Sequence, residues 1–228
     1  MLAFQKAAAI GCTHLETDVH ASKDGFAVIS HDGDLKRVAG VDARIQDLTL
    51  AELRRIDLGQ GQTFITLDEL LAAFPGHRFN IDIKALAAAK PAADAIIAAG
   101  AVPSVLITSF NEGRRLAATH RMPGVKTSAS APSFVLAFFF ARLGLGRAAA
   151  RVLRHIDAVQ VPERIAYLQT CTRRTVRIFH AAGCEIHVWT VNDASLMRRL
   201  FRHGVDGIFT DRADIGLEVL KELAENRK

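Results

Sequence analysis

Strand-like and helix-like periodicities alternate along almost the whole chain, and few folds accommodate that alternation. Short apolar or period-two runs occur at THLETDV, FAVISH, FNIDIK, SVLITSF, GVKTSA, DAVQV, EIHVWTV and DGIFTD. Between most of them lie segments with helical spacing: LTLAELRRI, TLDELLAAF, AAAKPAADAIIAAG, NEGRRLAATH, residues 147–154, CTRRTVRIFHAAG, DASLMRRLFRHG and DIGLEVLKELAENRK. Asn111 and Asp193 stand where they can cap the helices they begin, and Gly100, Gly183 and Gly204 follow helix ends. Strands joined through helices run parallel. FAVISH is the exception, since it follows LETDV across the turn SKDG and reads as a hairpin arm. Seven parallel strands then remain where a TIM barrel has eight. The expected fold is therefore α/β, a TIM (β/α)8 barrel lacking its first strand. That strand is expected upstream of LAFQKAAAIG, a helix with neither a cap nor a strand before it. An open doubly wound sheet is the alternative, but no Gly-rich phosphate loop follows any strand.

The 228 residues contain no linker, repeat or low-complexity tract, so a single domain over 1–228 is expected. Three scattered cysteines without metal-type spacing point to a reducing, cytoplasmic setting. The longest apolar run, FVLAFFFA, is far short of the ~20 residues of a membrane span. The net charge of +5 is concentrated: residues 142–177 hold eight arginines against Asp157 and Glu163. No stacking aromatics are interleaved with those arginines, which argues against nucleic acid and for an anionic lipid surface or substrate.

Chemistry enters through strand parity. Side chains two apart on a strand share a face, so Glu16 and Asp18 point one way while Leu15, Thr17 and Val19 point to the helical shell. Asn80, Asp82 and Lys84 likewise oppose Phe79, Ile81 and Ile83. Carboxylates gathered at strand mouths need a compensating cation, and three oxygen donors (Glu16, Asp18, Asp82) suit Mg2+ or Ca2+ better than zinc. Taken singly, such an Asp caps a helix and such a Lys pairs with an acid; the set of four points to a site. His14 shares the parity of Glu16 one layer deeper and reads as a satisfied interior group. His31, before the turn Asp32-Gly33, is the expected general acid or base. Trp189 and Phe110, at the ends of EIHVWTV and SVLITSF, either line a substrate pocket or belong to the core.

The ordered motifs LETDV-x4-KDG-x5-SHDGDLKRVAG, D-L-T-x2-E-L-x3-D-x-G, TLDELL, FNIDIK, LITSFN, VWTVND and GVDGIFTD resemble the glycerophosphodiester phosphodiesterase family, a TIM-barrel family, over Met1 to about Asp214. The resemblance implies metal-dependent hydrolysis of glycerophosphodiesters to glycerol 3-phosphate and an alcohol, within lipid metabolism. It implies metal ligands at Glu16, Asp18 and Asp82, phosphate binding by Lys84 and one of two acid/base histidines at His31. Asp82 stands where the family usually has Glu, one methylene longer. The family's opening His-Arg-Gly strand and Glu-Asn-Thr segment do not precede LAFQKA here, and we expect them to be encoded upstream. The chain as given is then expected to be poorly active, and a non-catalytic binder of metal or phosphodiester is the alternative. A lysophospholipase D-like enzyme acting on membrane lipids is a further one.

The segment SAPSFVLAFFFARLGLGRAAARVLRH follows GVKTSA and reads as a loop and helix near the barrel mouth. Arg147, Arg151 and Arg154 fall on one helical face, and Phe134, Phe138, Phe139 and Phe140 precede them. Phenylalanines packed on the shell with solvated arginines outside are one reading. The other is a peripheral contact with an anionic membrane.

Overall fold

The structure is a computed structural model that describes residues 1–226. It divides into two compact units, Met1–Ala8 with Thr13–Thr127 and Ala9–Cys12 with Ser128 onward.

In the first unit, β1 (His14–Ala21), β2 (Ala27–Ile29), β3 (Arg78–Ile83), β4 (Val105–Thr108) and β5 (Lys126–Thr127) form one sheet in the order β2-β1-β3-β4-β5. β1, β3, β4 and β5 are parallel; β2 is antiparallel to β1, as the hairpin reading of FAVISH requires. Register places Glu16 beside Asn80 and Asp18 beside Asp82. The opposite face of β1, Leu15, Thr17 and Val19, is buried, and Ile81, Ile83 and Ile107 continue that core across the sheet.

Caps brace the connections. Thr49 and Glu52 form a reciprocal capping box at the helix Leu50–Leu53, and Thr66 and Glu69 form another at Leu67–Ala73. The Asp24 carboxylate accepts from the Ser22 hydroxyl at 2.6 Å and from the Leu50 amide at 3.0 Å, so the KDG and DLT motifs are tied to each other. LTLAELRRI is mostly not helical: the helix stops after Leu53, short of a tight turn in which the Asp57 carboxylate accepts from the Gly59 amide. Asn111 caps Glu112–Thr119 through the Arg114 amide.

The second unit contains β6 (Ala158–Pro162), β7 (Arg164–Ile165), β8 (Leu168–Gln169), β9 (Glu185–Trp189) and β10 (Gly207–Ile208). β10-β9-β6 is a parallel sheet, and β7–β8 is a small hairpin that period-two patterning does not reveal in two-residue arms. Helices Ala131–Arg142, Gly146–Val152, Arg173–Ala181, Ala194–His203 and Ala213–Glu225 complete it. The final residues of the expected helix DIGLEVLKELAENRK, 227–228, lie outside the described residues. Asp193 caps its helix through the Leu196 amide at 2.7 Å, and Gly204 ends it at φ 94°. The Asn192 side-chain oxygen accepts from the Thr210 hydroxyl and the Asp211 amide, both at 2.9 Å, which joins the VWTVND and GIFTD motifs beyond β9 and β10. Cys171 and Cys184 are buried, and burial pushes both thiols up to about 11. No helix among the described residues is long and apolar enough to cross a membrane.

Candidate active site

The paired strands β1 and β3 bring Asp18 and Asp82 side by side, and Lys84 just past the end of β3 folds its ammonium between them. Lys84 Nζ lies 2.8 Å from Asp18 Oδ1 and 2.7 Å from Asp82 Oδ2. The position of Lys84 follows from the sheet, since its amide donates to the Val19 carbonyl at 3.1 Å and carries the parallel ladder one residue further. Burial alone would lower the Lys84 ammonium; hydrogen bonds to both carboxylates outweigh it and raise the group above its ordinary value. Asp82 is buried, and that burial pushes its carboxyl above the ordinary range against the pull of Lys84. Its Oδ1 is buried with no hydrogen-bond partner.

His31 sits on the loop after β2. The Ser30 amide donates to the Asp18 carbonyl at 3.0 Å, which ties that loop to the acidic strand. His31 Nδ1 is 2.7 Å from Asp32 Oδ1, and the other oxygen of Asp32 accepts from Arg37 Nε at 2.6 Å. Arg37, followed by His31, holds the Asp32 carboxyl down at about 2. A proton on His31 Nδ1 is the one Asp32 can accept, which leaves Nε2 as the other ring nitrogen. The His31 ring is exposed.

Other predicted residues are distributed unevenly. Glu16 shares the face of Asp18 but is exposed. Phe110 is exposed, with its ring centroid 6.0 Å from Lys84 Nζ. Trp189 ends β9 in the second unit, opposite Pro162. His14 corrects the sequence expectation: it is exposed rather than interior, bonded to the Thr13 hydroxyl at 2.9 Å, because it begins the strand where the sheet edge meets solvent.

Sequence reasoning missed His20, although the same alternation that picked out Glu16 and Asp18 includes it. His20 Nε2 approaches the His31 carbonyl at 3.4 Å, and burial lowers its imidazole against the opposing pull of that carbonyl and of Asp18. It also lines an open cavity of about 240 Å³ with Gly33, Asp34, Arg44, Gln46 and Ala85.

Among the described residues no three His, Cys, Asp or Glu side chains are gathered as a metal cage. The donors nonetheless suit a hard divalent ion in two respects. All three predicted donors offer oxygen, and the unpartnered Oδ1 of Asp82 is an acceptor with no donor. Lys84 is the cation seated between two of the acids, and Glu16 is the exposed member of the three.

Residues 1–215 match the Glycerophosphoryl diester phosphodiesterase family. "Probable glycerophosphodiester phosphodiesterase 2" of Mycobacterium tuberculosis is 42% identical over 221 residues, covering 96% of this chain and 84% of that protein. Human lysophospholipase D GDPD1 is 40% identical over 97 residues, covering 37% of this chain and 31% of that protein. An Oleispira antarctica phosphodiesterase, solved in complex with the product sn-glycerol-3-phosphate, has a TM-score of 0.76 at 23% identity, over 95% of this chain and 88% of that one. These likenesses bear out the α/β TIM-barrel class expected from the alternation of strands and helices.

Proposed function

The chain belongs to the glycerophosphoryl diester phosphodiesterase family, and from that premise we propose that it hydrolyses glycerophosphodiesters to glycerol 3-phosphate and an alcohol. The observation that carries the proposal is the Asp18–Lys84–Asp82 cluster, with its unsatisfied carboxylate oxygen, on the strand tied to the His31 loop.

Each residue has a role its geometry can serve. Glu16, Asp18 and Asp82 would hold a divalent ion, Mg2+ or Ca2+, which when bound supplies Lewis-acid charge against the phosphoryl oxygens. Lys84 offers its ammonium to a non-bridging phosphate oxygen, having the donors for it and a partner Asp on either side to orient it. His31 Nε2 moves the proton between the leaving alcohol and the attacking group, with Asp32 steadying the ring from behind. Phe110 gives an apolar wall beside Lys84 for the glycerol carbons, and Trp189 is a second substrate-binding candidate. The setting we assign is cytoplasmic phospholipid metabolism, with peripheral contact to an anionic membrane.

Release of glycerol 3-phosphate from glycerophosphocholine or glycerophosphoethanolamine in Mg2+ or Ca2+, abolished by chelator, is the expected result. Calorimetric binding of the diester without product would make the chain a binder and overturn the enzymatic reading. A second reading, a lysophospholipase D acting on membrane lipids, is favoured by the segment shared with the human lysophospholipase D and by the apolar surface described next. Release of choline from lysophosphatidylcholine tests it.

A further inference from the structure

The helix Ala131–Arg142 is apolar on both sides, yet only one side is covered. Phe134, Ala137, Phe138 and Ala141 are buried, with the Phe134 ring 5.6 Å from Phe138 and 6.4 Å from Phe179. Of the four phenylalanines, Phe134 and Phe138 pack on the shell as the first reading of this segment expects, Phe140 is half-buried, and Phe139 stands out. The outer side is made of other residues. Val135 and Phe139 are each 56% exposed, Leu143 57%, and Leu136 and Leu145 are exposed with them. At 3.6 residues per turn, Val135, Leu136, Phe139 and Leu143 fall within one arc of about 100°. A helix with apolar residues all round is normally buried all round, so this arc calls for an occupant.

Charge identifies the occupant. Arg142 follows Val135 by two turns, and Arg147, Arg151 and Arg154 follow within the same segment; all four are exposed. None of the four carries an ion pair among the described residues, and the sequence has no acidic residue from 131 to 156. Arg154 lies beyond the end of Gly146–Val152, so the three arginines expected on one helical face are divided between the helix and the turn after it. A second copy of this surface would oppose cation to cation. Nucleic acid would meet four branched aliphatic side chains and a single exposed ring, Phe139, in place of a series of stacking platforms. An anionic bilayer meets both features together: acyl chains for the apolar arc and headgroup phosphates for the arginines.

We propose that residues 131–154 form a docking surface for anionic phospholipid bilayers, with Val135, Leu136, Phe139, Leu143 and Leu145 entering the interface and Arg142, Arg147, Arg151 and Arg154 engaging headgroups. This deepens the membrane contact assigned above and supplies the residues for it.

The test is co-sedimentation of the full chain with phosphatidylcholine vesicles, with and without one third phosphatidylglycerol. Binding to the anionic vesicles alone, weakened by salt, is expected. Phe139→Ser with Leu143→Ser should weaken it about tenfold, and Arg147→Glu with Arg151→Glu should abolish it. Circular dichroism and hydrolysis of glycerophosphocholine, both unchanged, verify that each variant is folded. No binding at low salt, or binding indifferent to both double substitutions, overturns the proposal. So does a concentration-dependent dimer that the apolar pair of substitutions dissolves. Vesicle binding by a chain that hydrolyses nothing would leave the docking surface standing and remove the enzymatic reading.

Discussion

Two ionic clusters of the first unit are built from the same parts, a basic side chain on carboxylates at 2.6–2.8 Å, and Asp32 of one is driven in the opposite direction to Asp82 of the other. At the surface, Arg37 and His31 pull Asp32 down to about 2. Beside β3, Lys84 contacts Asp82 just as closely, yet burial drives Asp82 upward. Contact distance is the same; access to water differs. Where water solvates both partners, an ion pair adds a small preference for the charged form and little stability. Where water is excluded, the desolvation cost of the carboxylate competes with its partner and exceeds it. The exposed cluster is suited to orienting a proton-transfer group, and the buried one to holding cationic charge and phosphate.

The largest expected effect separates the clusters by activity. His31→Ala should lower kcat about 10²–10⁴-fold, a range ordinary for a lost acid/base group, while urea midpoints stay unchanged. An equal loss of stability would mean that the exposed cluster is structural. Next comes Lys84→Met, which strands Asp18 and Asp82; buried pairs broken on one side cost about 3–5 kcal/mol, and urea denaturation in chelator should fall near the low end because Lys84 is only half-buried. Divalent ion should restore much of that loss, a recovery the exposed cluster has no means to show. Asp82→Asn sharpens the contrast: since burial already favours its neutral form, stability should change by less than about 1 kcal/mol while divalent-ion affinity, read by calorimetry, collapses. Arg37→Ala should act mildly, lowering kcat about three- to tenfold through a less constrained His31.

Smallest is the pH dependence. Asp32 has a folded value below its ordinary 3.8, so its contribution to stability is complete above 3.8 and is lost as pH falls toward about 2. Asp82 has the opposite sign: the cost of its charge is present above its raised value and disappears as pH falls through it. Trp189 fluorescence, from the only tryptophan, follows unfolding, and Asp32→Asn should flatten the acid limb. A limb unaltered by that change would show that Arg37 and His31 bind Asp32 too weakly to matter.

Much of this was legible in one dimension because it depends on neighbours in sequence. Period-two alternation located β1, β3 and their shared polar face, and capping residues located the starts of Glu112–Thr119 and Ala194–His203. His20 was equally legible by that parity and was passed over. The short β7–β8 arms were not legible, since two residues carry no period. Nor was the exposed arc of Ala131–Arg142, because a helix apolar all round does not encode which side will be covered.

By itself the sequence determined the order of strands and helices, the family, and which side chains share a face, since these follow from local periodicity and spacing. Only the tertiary structure decided that Lys84 reaches back between Asp18 and Asp82, that Asp82 is buried with an oxygen unsatisfied, and that Phe139 rather than Phe134 meets solvent. The reason is physical: burial and charge compensation depend on which distant segments pack together, and that packing sets the local dielectric that no residue carries alone.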